Sequence, residues 1–380
     1  MSFGRVLAKT WEDNLLFSAL VELTYRCNLD CFFCYNDLGA AGKPLSREQY
    51  FAFFADLADL GVLNLTLTGG EPLAHPDFLA LGRKARELGF VLRVKSNGHA
   101  LRGELARRLR EEVDPFLVEV SLHGATAATH DRQTRVPGSF ERLLANLEEM
   151  RRLGLRVKVN STLTAWNEGE IEAMFDLVES LGLNFQVDPE VTARDDGSRE
   201  PLSVAPTREG ILRLFAVQEE RGRRWREAQA SGGVGAELAA APALSSGSAI
   251  GKGADDGTMP VAPQKHCGAG SSGIAVDPYG NVYPCVQWRR PVGNLHERSI
   301  REIWTGSNDL DDIRALTARA KQVVDGYGEA GALLNFCPGS AATFGGDPLA
   351  VYPQALRRME LAQEAQRSGP AGKKVLLPIV

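Results

Sequence analysis

Between residues 16 and 200 the chain alternates short, β-branched apolar runs with stretches of helical periodicity, and this alternation limits its fold more than any other feature. Phe17–Tyr25, Leu63–Thr68, Val91–Ser96, Phe116–Leu122, Leu155–Leu163 and Asn184–Val187 read as strands. Ser46–Leu60, Asp77–Leu88, Leu101–Glu112, Ser139–Leu153 and Glu168–Leu181 read as the helices between them. Ser46-x-x-Gln49 is a capping box, and Ser139 reads as an N-cap. Strands joined through helices run parallel, and parallel strands covered on both faces are near-continuously apolar. Six such units predict an α/β fold built as a partial or complete barrel, with its chemistry on the loops after the strands.

Thr207–Ala228 reads as a further, charged helix, and residues 230–262, rich in Gly, Ala and Ser, as a linker. Within that stretch Gly247–Gly253 has the look of a phosphate loop, but its spacing is wrong and no strand precedes it. From His266 short strands surround a turn at Pro278–Asn281, followed by helices at Ser299–Trp304 and Leu310–Val323. The expected units are a barrel over 1–200, a bridging helix and linker over 201–262, a small α+β unit over 263–350 and a tail over 351–380.

The net charge of −5 gives no broad reason to expect nucleic acid or an anionic membrane as a partner. The arginine-rich stretches Arg83–Arg86 and Arg221–Arg226 read as solvated helix faces. No apolar run approaches the ~20 residues of a membrane span, and the N-terminus does not read as a signal peptide. A cytoplasmic location follows, where thiols stay reduced. The six cysteines are then ligands or buried thiols rather than disulfides.

Cys27, Cys31 and Cys34 form a C-x3-C-x2-C loop just after the first strand. Three thiolates on one tight loop suit three irons of a [4Fe–4S] cube and leave the fourth iron open. The alternatives are a zinc site or three unrelated thiols. Zinc sites pair C-x2-C with a second nearby pair, whereas here the next cysteine lies more than 230 residues away. The loop, with Phe33 at the aromatic position, resembles the signature of radical S-adenosylmethionine (radical SAM) enzymes. That resemblance implies a partial (βα)6 TIM-like barrel. It implies a cluster on Cys27, Cys31 and Cys34 that binds S-adenosylmethionine. One electron then cleaves the cofactor to a 5′-deoxyadenosyl radical, which abstracts hydrogen from a substrate.

Gly69-Gly70-Glu71-Pro72 follows the second strand and is similar to the family's GGEP element, which contacts the methionine ammonium group. Ser96 and Asn97 end the third strand, Ser121 lies near the end of the fourth and Asn160 on the fifth. The resemblance offers these, and Arg135 toward the carboxylate, as further cofactor contacts, with helix capping or turns as the alternative. His123 and His130 read as structural, and Asp188 and Glu190 as possible substrate-facing groups.

Cys267 and Cys285 bracket the predicted hairpin, and Cys337 follows about fifty residues later. The surrounding sequence resembles the C-terminal SPASM or shorter twitch extension, which implies one auxiliary [4Fe–4S] cluster on these three. The twitch pattern's next cysteine is replaced here by Ser340, so Ser340, His266 or a substrate atom is left to fill the fourth position. The resemblance leads to a peptide-modifying enzyme, with a separate leader-recognition protein and a flavodoxin or ferredoxin reductant as partners. A small-molecule dehydrogenase or rearrangement enzyme, and a non-catalytic iron–sulfur electron carrier, are the alternatives.

Overall fold

The protein is described from a computed structural model covering residues 3–37, 39–230 and 264–368. Helix α1 (Phe3–Glu12) leads into β1 (Ser18–Glu22), α2 (Arg47–Asp59), β2 (Asn64–Thr68), α3 (Phe78–Glu87), β3 (Val91–Ser96) and α4 (Gly103–Arg108). Then come β4 (Leu117–Ser121), α5 (Ala127–Thr134), α6 (Ser139–Arg152), β5 (Val157–Thr162), α7 (Ile171–Ser180) and β6 (Asn184–Asp188). Helix α8 (Arg208–Ala230) is followed by β7 (Gly273–Val276), β8 (Asn281–Tyr283) and β9 (Gly293–Asn294). The last elements are α9 (Ile300–Gly306), α10 (Asn308–Asp325), α11 (Pro338–Gly345) and α12 (Pro353–Ser368). The Gly/Ala/Ser-rich linker, with Gly247–Gly253, lies outside the described residues apart from its first position, as does the end of the C-terminal tail.

The nine strands among the described residues form one sheet, in the order β6-β5-β4-β3-β2-β1-β7-β8-β9. Strands β1 to β6 are parallel, which is the expected partial (βα)6 barrel. Its outer face is apolar: Val21, Leu65, Leu67, Val94, Val118, Val120 and Val159 are fully buried, packed with Phe54, Leu57, Leu81, Leu143 and Met150 of the covering helices. Each such side chain contributes ~1.5–3 kcal/mol on burial. The inner face is polar, because a strand sends alternate residues to opposite sides. Lys95, Glu119 and Lys158 stand side by side there, with Asn160, Gln186 and Asp188 on the neighbouring positions. The apolar runs of the sequence hid these alternate charges.

Several local expectations are met and several are not. Ser46 and Gln49 cap α2 reciprocally. Ser139 is the first helical residue of α6 rather than its cap; Gly138, in the left-handed region at φ 74°, takes that place. Ser139 instead donates its hydroxyl to Asp131 at 2.7 Å. Strand β7 does not stay within a separate hairpin. It adds in parallel to β1, pairing Ser18 with Gly273, and so covers an edge that would otherwise stand open. Within the stretch read as a tail, α12 forms and packs on α8, with Arg208 paired to Glu364. The arginine-rich faces are ion-paired, Arg83 to Glu112 and Arg221 to Asp176. Among the described residues no helix is long and apolar enough to cross a membrane.

Candidate active site

The cysteine loop leaves the C-terminal end of β1, and the Gly69–Pro72 turn leaves the neighbouring β2. The two are tied by main chain: Gly70 N–H donates to Thr24 O at 2.7 Å and Glu71 N–H to Arg26 O at 2.9 Å. A Cβ at Gly69 would lie 2.3 Å from Thr24 O, and one at Gly70 would lie 2.6 Å from both Tyr25 O and Arg26 O. Glycine is required because two backbones touch here. Asn36, two residues past Cys34, donates from Nδ2 to Gly69 O at 3.1 Å, while its buried Oδ1 has no partner among the described residues.

Glu71 is buried, 1% exposed. Its carboxylate accepts from Leu73 N–H at 3.1 Å, Ser96 Oγ at 2.8 Å and Asn97 N–H at 2.8 Å. Burial pushes this carboxyl up while the three donors oppose the shift. The side chain of Glu71 therefore fastens the turn to the end of β3. Pro72 starts a short 3₁₀ turn, with Glu71 as its cap. Asn97 reaches back from β3, donating to Asn28 Oδ1 at 2.7 Å and to Cys27 Sγ at 3.7 Å.

Cys27 is exposed at the loop, with Cys31 and Cys34 half-buried. Burial pushes all three thiols above the ordinary cysteine range, and Cys34 and Cys27 each raise Cys31 further. Raised thiols stay protonated without a metal, and metal binding would release their protons. Among the described residues no three His, Cys, Asp or Glu side chains gather tightly enough for a single metal ion. In a cube each thiolate binds a different iron, so the three sulfurs stand further apart than they would around one zinc ion.

The other expected residues divide. Phe33 turns inward, edge-on to His123 at 4.7 Å, and His123 stacks on His130 at 6.0 Å. His123 N–H donates to His130 Nδ1 at 3.0 Å, and burial lowers the two rings to about 3 and about 4. Both are neutral near pH 7. Ser121 and Asn160 are register partners on the inner face. Asn160 donates to Glu119 Oε2 at 2.8 Å, and its buried Oδ1 has no partner among the described residues. Arg135 is not directed into the barrel: it pairs with Asp30 at 3.3 Å and lies 4.7 Å over the Phe32 ring. Asp188, at the end of β6, is raised to about 6 by burial and by Glu190 beside it.

Cys267, Cys285 and Cys337 also converge, although they are far apart in sequence. Burial pushes each thiol up, Cys267 to about 12, and Cys337 and Cys267 further raise Cys285. Cys337 caps α11, its Sγ accepting from Ser340 N–H at 3.4 Å, and the Ser340 hydroxyl also bonds to it. His266 donates from Nε2 to Phe336 O at 2.7 Å. Both side chains considered for a fourth position are thus already engaged.

Sequence reasoning missed the pair that joins the two cysteine groups. Glu22 on β1 is fully buried, and Arg289, four residues after Cys285, grips it through two bonds of 2.9 and 2.8 Å. Arg289 also meets Asp195 at 2.9 Å. A lone Glu inside an apolar strand was the available signal, since a buried charge demands a partner.

Comparison with known proteins places this geometry. The model of the Radical SAM superfamily matches residues 21–178, and that of the SPASM iron–sulfur cluster-binding domain matches 267–325. An AdoMet-dependent heme synthase from Methanosarcina barkeri is 30% identical over 306 residues, covering 77% of this chain and 83% of the relative. The chain belongs to the radical SAM superfamily. A PqqA peptide cyclase from Ruegeria pomeroyi is 27% identical, covering 89% of this chain and 86% of the relative. The structure of anSMEcpe with bound AdoMet and Cp18Cys peptide has the same fold, with TM-score 0.63 at 15% identity over 93% of this chain and 99% of that one. As a radical SAM enzyme with a SPASM domain, the chain uses a [4Fe–4S] cluster, S-adenosylmethionine and auxiliary iron–sulfur chemistry.

Proposed function

We propose that Cys27, Cys31 and Cys34 hold the cluster that binds S-adenosylmethionine, and that Cys267, Cys285 and Cys337 hold one auxiliary [4Fe–4S] cluster. The observation that carries this is the hydrogen-bonded seam between the Gly69–Pro72 turn and the cysteine loop. When bound, the cluster and S-adenosylmethionine supply a one-electron cleavage that yields a 5′-deoxyadenosyl radical. The chain's own part is positional. The carbonyl of Gly69, held by Asn36, and the unpartnered Asn36 Oδ1 offer acceptors for the methionine ammonium group. Ser121 and the free Asn160 Oδ1 face the cofactor from the inner wall, and Asn97 spans from β3 to Cys27. Arg135 braces the loop from outside through Asp30. Residues 1–200 form the catalytic unit and 263–350 the auxiliary one.

The substrate favoured here is a peptide, modified by crosslinking or side-chain oxidation. The PqqA peptide cyclase relative and the anSMEcpe structure with a bound peptide support this reading. A separate leader-recognition protein and an external reductant complete the system. The heme synthase relative supports a second reading, a small-molecule substrate carrying out its chemistry in the same barrel.

Anaerobic reconstitution followed by iron counting and dithionite reduction tests the assignment. About eight irons per chain, with 5′-deoxyadenosine formed by the wild type and lost when Cys27, Cys31 and Cys34 are all changed to Ala, is the expected result. A fully loaded wild type that forms none with either candidate substrate overturns it. Mass spectrometry of short peptides encoded beside the gene, run against tetrapyrroles, separates the two substrate readings.

A further inference from the structure

The turn that ends β3 sends one side chain across to the cysteine loop. Asn97 is half-buried, and each polar atom of its side chain is engaged. Its Oδ1 accepts from His99 N–H at 3.0 Å, and its Nδ2 donates to Asn28 Oδ1 at 2.7 Å and to Cys27 Sγ at 3.7 Å. These partners fix which way the amide points. Turned over, it would set its oxygen against the Cys27 sulfur and its NH2 group against the His99 N–H, donor against donor.

The turn itself is held from three directions. Asn97 N–H donates to Glu71 Oε2 at 2.8 Å, and Gly98 N–H donates to Ser96 Oγ at 3.0 Å. From α6, Asn146 Nδ2 donates to Gly98 O at 2.9 Å and to His99 O at 3.0 Å. Glu71, Ser96, His99 and Asn146 are all buried. The amide is therefore set in place before anything binds at the loop. Cys27 Sγ has one further donor, Leu29 N–H at 3.4 Å, which belongs to the loop's own backbone. Among the described residues no other side chain donates to a sulfur of this loop.

A donor aimed at a sulfur acts most strongly when that sulfur gains charge. Reducing a cluster by one electron spreads negative charge onto its thiolates, and hydrogen bonds to the sulfurs are among the quantities that set its potential. The Asn97 side chain, spent on His99, Asn28 and Cys27, keeps no group back for a cofactor.

We propose that Asn97 is a positioning residue for the cysteine-loop cluster: its amide, held by His99 and Asn28, donates to Cys27 Sγ and raises the reduction potential of that cluster, and it does not bind S-adenosylmethionine. The inference rests on the cysteine loop holding the cluster.

The test is an EPR-monitored redox titration of the full, reconstituted chain without S-adenosylmethionine. The auxiliary cluster serves as the reference in the same sample, and iron is counted before each titration. Asn97→Ser keeps an oxygen for the His99 N–H but is too short to reach the sulfur. At a fixed potential it should lower the reduced-to-oxidised ratio of the cysteine-loop cluster ~10-fold, a shift of ~59 mV for one electron. Asn97→Asp keeps the shape and puts a like charge where the donor was, so it should lower the ratio further; Asn97→Ser carries the test if that charge prevents loading. The auxiliary cluster should titrate as in wild type. Asn28→Ala is the control, since it cuts the shorter bond of the same amide to the same loop and leaves the donor on the sulfur; its potential should stay near that of wild type. A shift in Asn28→Ala equal to that in Asn97→Ser would make the amide a tether and overturn the proposal. An unmoved potential in loaded Asn97→Ser would also overturn it, and a loss of S-adenosylmethionine affinity without that shift would return the side chain to the cofactor. If changing Cys27, Cys31 and Cys34 to Ala left both EPR signals in place, the assignment of a cluster to this loop would fail instead, and the proposal with it.

Discussion

Changing Gly70 to Ala presses directly on the seam between the cysteine loop and the Gly69–Pro72 turn. Gly70 does not have a positive φ, so conformational freedom is not what the site demands of it. The demand is space: the new Cβ would meet Tyr25 O and Arg26 O at 2.6 Å and Tyr25 C at 2.9 Å. All three are backbone atoms, so no rotamer change relieves the overlap. The turn must move away, which breaks the Gly70 N–H to Thr24 O and Glu71 N–H to Arg26 O bonds. Each bond is worth ~1 kcal/mol net, and overpacking a tight site costs ~1–3 kcal/mol, which places the loss near 3–5 kcal/mol. Part of that loss is local, so affinity for S-adenosylmethionine should fall ~10–100-fold, equivalent to ~1.4–2.7 kcal/mol. Gly169→Ala is the control, because nothing lies within 4 Å of its Cβ and its φ is not positive. Urea unfolding and equilibrium binding of S-adenosylmethionine, both anaerobic, give the two numbers. A Gly70→Ala protein within ~0.5 kcal/mol of the control, binding the cofactor as wild type does, refutes the close-approach argument.

Arg289→Met strands the buried Glu22 carboxylate and unpairs Asp195, and urea unfolding should show a loss of ~3–5 kcal/mol; a loss below ~1 kcal/mol would mean that water satisfies Glu22. Asp188→Asn tests linkage: the folded carboxyl is raised to about 6 from 3.8, so its stabilising contribution is present at low pH and is lost as pH rises through 6. The variant should gain on wild type between pH 4 and 7 by up to ~3 kcal/mol, and a pH-independent difference in urea midpoints would rule that out. Ser340→Ala removes a hydroxyl donor from Cys337 Sγ. The auxiliary midpoint potential, read by EPR-monitored titration, should drop by on the order of tens of millivolts; an unmoved potential would remove Ser340 from the cluster's surroundings.

What could be read from the sequence was whatever depends on short spacing. Cys27, Cys31 and Cys34 sit within one loop, and Gly69–Pro72 follows its own strand, so local pattern located both. The six barrel strands were equally legible, because each buries an apolar face. Contacts between distant segments were not. Nothing near Glu22 in sequence announces Arg289, 267 residues on. Arg135 was expected at the cofactor, but its left-handed backbone at the end of α5 turns it toward Asp30 and Phe32. Strand β7 escaped for a related reason: its apolar run fits a hairpin with β8 as well as it fits the edge of β1, and it does both.

That double pairing makes the sheet a ruler between the two cysteine groups. Cys27 follows β1 beyond its C-terminal end, Cys267 precedes β7 at its N-terminal end, and the two strands are locked in register from Ser18 with Gly273 to Val21 with Val276. Backbone bonds, rather than adaptable side chains, thus set the spacing. Slipping the register by one residue would change it by ~3.3 Å and would turn Glu22 away from Arg289, so the gauge and the buried ion pair check one another. Evolution can vary the barrel's inner wall, and so the molecule treated there, without recalibrating that span.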